Sequence, residues 1–127
     1  MRTLICGSRD FLDGQAAFRF LDSLRTQPTL VISGAARGAD TIARAWAIHR
    51  KIPLQEYPAD WKLHGKGAGF RRNLEMLDAC EVVVAFWDGS SPGTQHTLRE
   101  AQARKLPIYL CVPADGDLFV TYSGGTV

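Results

Sequence analysis

The chain has 127 residues, 46% hydrophobic and 22% charged, with a formal net charge of +2. That is the size and composition of one globular domain with one core, expected to span 1–127, and it excludes a disordered or disulfide-framed chain. No Lys/Arg block exceeds two residues and the N-terminus carries neither a signal peptide nor a membrane span, so a cytoplasmic protein is expected, with no membrane partner.

Leu4-Ile5-Cys6, closed by Gly7-Ser8-Arg9-Asp10, reads as a first strand and a loop. From Asp13, a fair N-cap, the residues Ala16, Ala17, Phe20, Leu21 and Leu24 recur at the spacing of one helix face. Pro28 ends the element, which predicts a helix over about 13–26. Thr29 to Ile32 is the second strand. The small-residue loop Ser33 to Asp40 leads into a helix over about 39–51. Pro53 and Pro58 bracket a third strand, Leu54 to Tyr57, and proline at both ends suits an outer position. Ala59 to Gly69 reads as a Gly-rich loop carrying Trp61, His64 and Lys66. A helix over about 67–80 follows, with Phe70, Leu74 and Leu77 on its core stripe, Asn73 beside it and Arg72 on roughly the opposite side.

Val82 to Trp87 is a buried strand. Asp88-Gly89-Ser90-Ser91-Pro92-Gly93-Thr94 then turns into a helix carrying Leu98, Glu100 and Ala101. Ile108 to Val112 is the fifth strand. Residues 113–127 form a C-terminal extension, in which Leu118 to Tyr122 can add an edge strand. Strands 1, 2, 4 and 5 are apolar runs, the mark of parallel strands covered on both faces. The expected fold is α/β, a three-layer Rossmann-like open parallel sheet with strand order 3-2-1-4-5.

Such sheets bind ligands outside the carboxyl ends of their strands. The loops after strands 1, 2 and 4 all start there, and each is built of small residues that let a ligand reach the backbone. The first N–H groups of a helix lack internal partners and carry a partial positive charge, which suits a phosphate. Gly89, Ser90, Ser91, Gly93 and Thr94 are therefore the expected phosphate loop. Gly34, Gly38 and Asp40 form a softer candidate, in which Asp40 is either a ribose contact or a capping residue. Gly7, Ser8 and Arg9 sit at the expected switch point, with Arg9 a phosphate clamp or a surface partner of Asp10 or Asp13. Trp61 and Lys66 suit a loop that stacks on a base and reaches phosphates. The three cysteines, an odd number, read as buried free thiols. The scattered histidines and the lack of a CxxC pair point to no metal site, and no cofactor is expected.

Gly7-Ser8-Arg9, Ser33 to Asp40, Pro58 to Trp61, His64 to Lys66, Arg72-Asn73 with Met76, and Phe86 to Thr94 together resemble the YspA/YpsA-related branch of the SLOG superfamily over about residues 2–112. That superfamily includes the lonely-guy phosphoribohydrolases, the DNA-processing protein DprA, and sensors of NAD-derived nucleotides. The resemblance implies a nucleotide-binding crevice, with Ser33, Asn73 and Asp88 joining the residues above, and relatives that self-associate as homo-oligomers. In the enzymes an Arg in an Arg-Lys-x-x-Met pattern acts with a Glu in a Pro-Gly-Gly-x-Gly-Thr-x-x-Glu pattern. Here Arg72 and Met76 keep the first spacing, but Thr97 stands where the Glu belongs. If the chain is an enzyme, it cleaves a nucleoside 5′-monophosphate, with Arg72 stabilising charge and Glu100 or Asp88 as the substitute carboxylate. The degraded motif favours a sensor or sequestering domain for an ADP-ribose, NAD-type or monophosphate ligand. Single-stranded DNA binding of the DprA kind is the third reading. The near-neutral charge makes nucleic acid an unexpected partner.

Overall fold

A computed structural model describes residues 1–124; residues 125–127 of the C-terminal extension lie outside the described residues. Six strands form one sheet: β1 (Arg2–Gly7), β2 (Leu30–Ser33), β3 (Leu54–Glu56), β4 (Val82–Phe86), β5 (Ile108–Ala114) and β6 (Asp117–Ser123). The order is β3-β2-β1-β4-β5-β6. All pairings are parallel except β5 with β6, an antiparallel hairpin. The expected order therefore stands, and the apolar run in the extension adds the sixth strand at the edge.

Alternate strand residues feed two cores. Ile5, Val31, Val84 and Phe86 point toward α1 (Gly14–Asp22) and α2 (Ala39–His49), around the fully buried Trp46. Leu4, Cys6, Ile32, Val83 and Ala85 point the other way, under α4 (Ala68–Ala79) and α5 (Pro92–Ala103). A strand covered on both faces shows no polar alternation, which is why these segments read as plain apolar runs. No helix among the described residues is long and apolar enough to cross a membrane.

Local chemistry moves two boundaries. The first helix stops at Asp22, four residues short of the expected end. Ser23 Oγ donates to the Phe20 carbonyl at 2.6 Å, and Gln27 Nε2 donates to the Leu21 and Leu24 carbonyls at 3.0 and 2.8 Å. These side chains satisfy the helix's last acceptors before Pro28 is reached. The Gly-rich segment before α4 is not a plain loop. Asp60 caps a single turn, α3 (Trp61–His64), by accepting from the Leu63 N–H at 3.0 Å, and a 3₁₀ turn over Gly65–Gly67 joins it to α4.

The three thiols are buried. Burial pushes the Cys111 thiol up to about 12 and Cys80 up to about 11, and raises Cys6 as well. The thiolate is the reactive form. The folded protein is therefore expected to show almost no reaction with a thiol reagent at pH 8. All three groups should react once urea unfolds it, and rapid labelling of the native chain would contradict this packing.

Candidate functional site

The strand order places the switch point between β1 and β4, so the loops after β1, β2 and β4 open at one end of the sheet. They surround a crevice of about 420 Å³. Its β1 side is Cys6, Gly7, Arg9 and Asp10. Ala36, Arg37 and Asp40 come from the loop and first turn before and within α2. Ser91, Gly93, Thr94 and Thr97 come from the start of α5, while Arg72, Asn73 and Met76 rise from α4. Trp61 and Lys66 close one wall. A second depression of about 340 Å³ adjoins the crevice and shares Arg9, Ala36, Arg37, Trp61 and Arg72 with it; Gly34, Ala35, Pro58 and Ala59 complete it.

Arg72 is the hub. It does not lie on a solvated face of α4 but is half-buried and reaches across to two loops. Its Nη1 donates to the Gly34 carbonyl at 2.6 Å and to the Tyr57 carbonyl at 3.3 Å, and its Nε donates to Asn73 Oδ1 at 3.1 Å. A fork of donors suits this bracing task, which one ammonium could not reproduce. Gly34 permits it: a Cβ there would lie 2.7 Å from Arg72 Nη1 and 3.0 Å from Asp40 Oδ2. Asn73 carries the brace onward, donating from Nδ2 to the Gly93 carbonyl at 3.3 Å, with His96 Nδ1 also 3.3 Å away.

Asp40 is buried at the first turn of α2 and accepts from the Ala36 N–H at 3.1 Å. Burial is the main cause that raises its carboxyl to about 6, against pulls downward from the Ala36 N–H and Arg72. Burial also lowers the Arg72 pKa, and Arg9 adds to that, while Asp40 opposes it. Desolvation thus outweighs the attraction between Asp40 and Arg72 on both partners. The stability that Asp40 contributes is full below pH 3.8 and lost as pH rises through about 6. The loss is about 2 kcal/mol between pH 4 and pH 7. Asp40→Asn is expected to remove this fall in a series of urea titrations. It should also abolish any tightening of a phosphodiester ligand as pH drops from 7 to 5, because Asp40 then no longer neutralises the crevice cations. A wild-type-like pH profile in the variant would contradict the assignment.

The phosphate loop differs in detail from the sequence reading. Asp88 accepts from the Ser90 and Ser91 N–H groups at 2.8 and 2.9 Å, and those bonds hold its carboxyl down at about 2. Its own N–H donates to Ser8 Oγ at 3.0 Å. Asp88 thus ties the β4 loop to the β1 loop, and Asp88, Gly89 and Ser90 stand outside the crevice lining. The Ser90 and Ser91 donors are already engaged. Pro92 has no N–H, so the donors left at this end of α5 are those of Gly93 and Thr94, for which no acceptor is found among the described residues.

Other expected site residues serve the frame. Ser8 and Ser33 are buried, and the Ser33 hydroxyl has no hydrogen-bond partner among the described residues. Gly38 packs against the Ser8 and Arg9 carbonyls. Glu100 does not reach the crevice: on a helix it is rotated about 60° from Thr97 and lies about 4.5 Å further along the axis. Phe70 is not core. It is 51% exposed on the crevice rim, its ring stacked on His96 at 4.4 Å. The sequence reading missed Arg37, Phe70 and Thr97 as lining residues. Arg37 sat in plain view within the small-residue loop, where a cation has no packing reason to be.

Residues 1–64 match the YspA, cpYpsA-related SLOG family (YAcAr). The Gene 61 protein of Mycobacterium phage D29 is 41% identical over 116 residues, which are 84% of this chain and 93% of that protein. The chain belongs to this SLOG family. The SLOG fold accounts for the structural likeness to DNA processing protein A from Helicobacter pylori, a structure described for its single-stranded DNA binding mode. That likeness has a TM-score of 0.65 at 19% identity and covers 93% of this chain and 68% of the other. It corrects one expectation. Nucleic acid was an unexpected partner on grounds of net charge, yet a chain of this fold binds single-stranded DNA. Net charge averages over the whole surface, whereas a strand meets only the groove that holds it. At 19% identity the likeness shows a shared fold.

Proposed function

We propose that the carboxyl-end crevice binds nucleotide units and that single-stranded DNA is the form in which it meets them. The observation that carries this reading is electrostatic. Arg9, Arg37, Lys66 and Arg72 line one crevice with two carboxylates, Asp10 and Asp40, and burial raises the Asp40 carboxyl to about 6. A phosphate supplies the negative charge that this lining lacks. The Gly93 and Thr94 N–H groups offer it hydrogen bonds, and exposed Trp61 and Phe70 offer faces for a base. The likeness to a DNA-binding protein of the same fold favours a strand over a free nucleotide.

Binding of a free nucleotide, such as an ADP-ribose or NAD-type ligand, is the second reading. The crevice favours it by its size, which is at the small end of ordinary ligand sites. A phosphoribohydrolase role is less favoured, because Glu100 lies outside the crevice and Arg72 is already engaged with three protein acceptors.

The deciding experiment is a fluorescence-anisotropy titration of a labelled oligo-dT at several salt concentrations, with AMP and ADP-ribose as competitors. Binding should weaken with salt, with a log–log slope of about −2 for three phosphate contacts. Competition by a nucleotide at a concentration far below that of the oligonucleotide favours the second reading. No binding of any of these ligands at high micromolar protein would sink both.

A further inference from the structure

We infer that the crevice and the depression beside it are two consecutive nucleotide seats, with the Trp61 indole as the wall between them, so that the minimal full ligand is a dinucleotide. This rests on the binding reading above and adds what that reading leaves open, the length of strand the chain recognises.

Size is the first argument. At about 420 and 340 Å³ each space lies near the lower bound of small-molecule sites, so each takes one small unit rather than two. Continuity is the second. The two spaces share Arg9, Arg37, Trp61 and Arg72, so a ligand filling both passes these side chains without leaving the protein. A phosphodiester linking two seated nucleosides would cross at the shared cations.

Charge pairing is the third argument. The ion pairs among the described residues engage Arg2, Arg19, Arg44, Arg50 and Arg104, none of which lines this groove. Arg9, Arg37 and Lys66, which line the groove, take part in none of them. With Arg72 they make four cations against two carboxylates, Asp10 and Asp40, in the crevice lining, and that surplus of positive charge suits a polyanion.

Trp61 supplies the fourth argument. It starts the single turn α3, is 55% exposed, and lies against Gly69 of α4, where an added Cβ would be 3.5 Å from its Cη2. One edge of the indole is thus supported and much of its surface is open. Base stacking on such a ring is tolerant of sequence, so the two seats should discriminate weakly among bases.

The test compares the full chain's affinity for dTMP, the dinucleotide pdTpdT and hexameric oligo-dT at one salt concentration. The dinucleotide is expected to bind at least tenfold tighter than dTMP, and the hexamer to add little beyond the statistical gain from its several registers. Ala59→Glu places a charge in the second depression only, since Ala59 does not line the crevice. It should reduce pdTpdT to about the affinity that dTMP has for the same variant. Trp61→Ala should remove most of the dinucleotide advantage and Trp61→Phe should restore part of it. Circular dichroism of each variant checks that it is folded. Equal affinity for dTMP and pdTpdT, or an Ala59→Glu variant that keeps the dinucleotide advantage, overturns the two-seat inference while leaving a single nucleotide seat standing. Failure of every ligand, dTMP included, overturns both.

Discussion

Gly38→Ala is expected to lower the unfolding free energy by about 3 kcal/mol, at the upper end of single-site effects. Gly38 has φ +74°, a conformation that L side chains rarely adopt, and a Cβ there would overlap the Ser8 and Arg9 carbonyls. Nor is the overlap with a side chain that can swing away. The Ser8 carbonyl accepts from the Phe11 and Ala39 N–H groups at 3.2 and 3.1 Å, so it is fixed by the loop after β1 and the start of α2. The midpoint of thermal unfolding should fall by about 10 °C or more. The surviving folded protein should bind oligo-dT more weakly, because the same displacement moves Arg9. Gly93→Ala is the control. Nothing lies within 4 Å of a Cβ at Gly93, which occupies the first turn of α5. Its alanine variant is expected to be as stable as the parent or slightly more so. Equal stability of the two variants in urea titrations would refute the close packing of the β2 and β1 loops.

Arg72→Leu is the second large effect. It leaves the Gly34 and Tyr57 carbonyls and Asn73 Oδ1 without their donor and removes a cation from the crevice. A destabilisation of about 2–4 kcal/mol is expected from the lost charge-assisted bonds, together with a loss of at least tenfold in oligo-dT affinity. Arg72→Lys separates the two roles. An ammonium restores the charge but cannot brace three acceptors at once, so affinity should recover further than stability does. Arg71, exposed one residue away and outside the crevice, should give an alanine variant within about 0.5 kcal/mol of the parent. If Arg72→Leu unfolds at the parental urea concentration, the bracing role is wrong. If it instead binds oligo-dT at parental strength, the electrostatic basis of the proposed function fails.

The sheet was legible in the residues because its signals are local. Four apolar runs broken by small-residue loops dictate parallel strands, since a strand buried on both faces needs no alternation. The convergence of three loops then follows from the strand order alone. By contrast, the stripe on α4 was misassigned at Phe70. Periodicity says which residues share a face but not what covers that face. Here the start of α4 overhangs the crevice, and Phe70 meets His96 and solvent instead of the sheet.

The β4–α5 segment shows the same limit at atomic scale. Its composition announces a turn and a helix start, yet it cannot tell which N–H groups Asp88 has already taken. Gly38 and Gly93 look equivalent as letters, and only their neighbours make one indispensable and the other free. Arg72 and Arg71 are adjacent in the chain, and only the reach across to Gly34 and Tyr57 distinguishes a brace from a solvated side chain. What the chain's order of residues determined by itself was the fold and the end of the sheet where a ligand belongs, because hydrophobic period and turn chemistry act over a few residues. The tertiary structure alone decided which groups at that end remain available, because hydrogen bonds and charges are shared between groups that lie 15 to 80 residues apart in the chain.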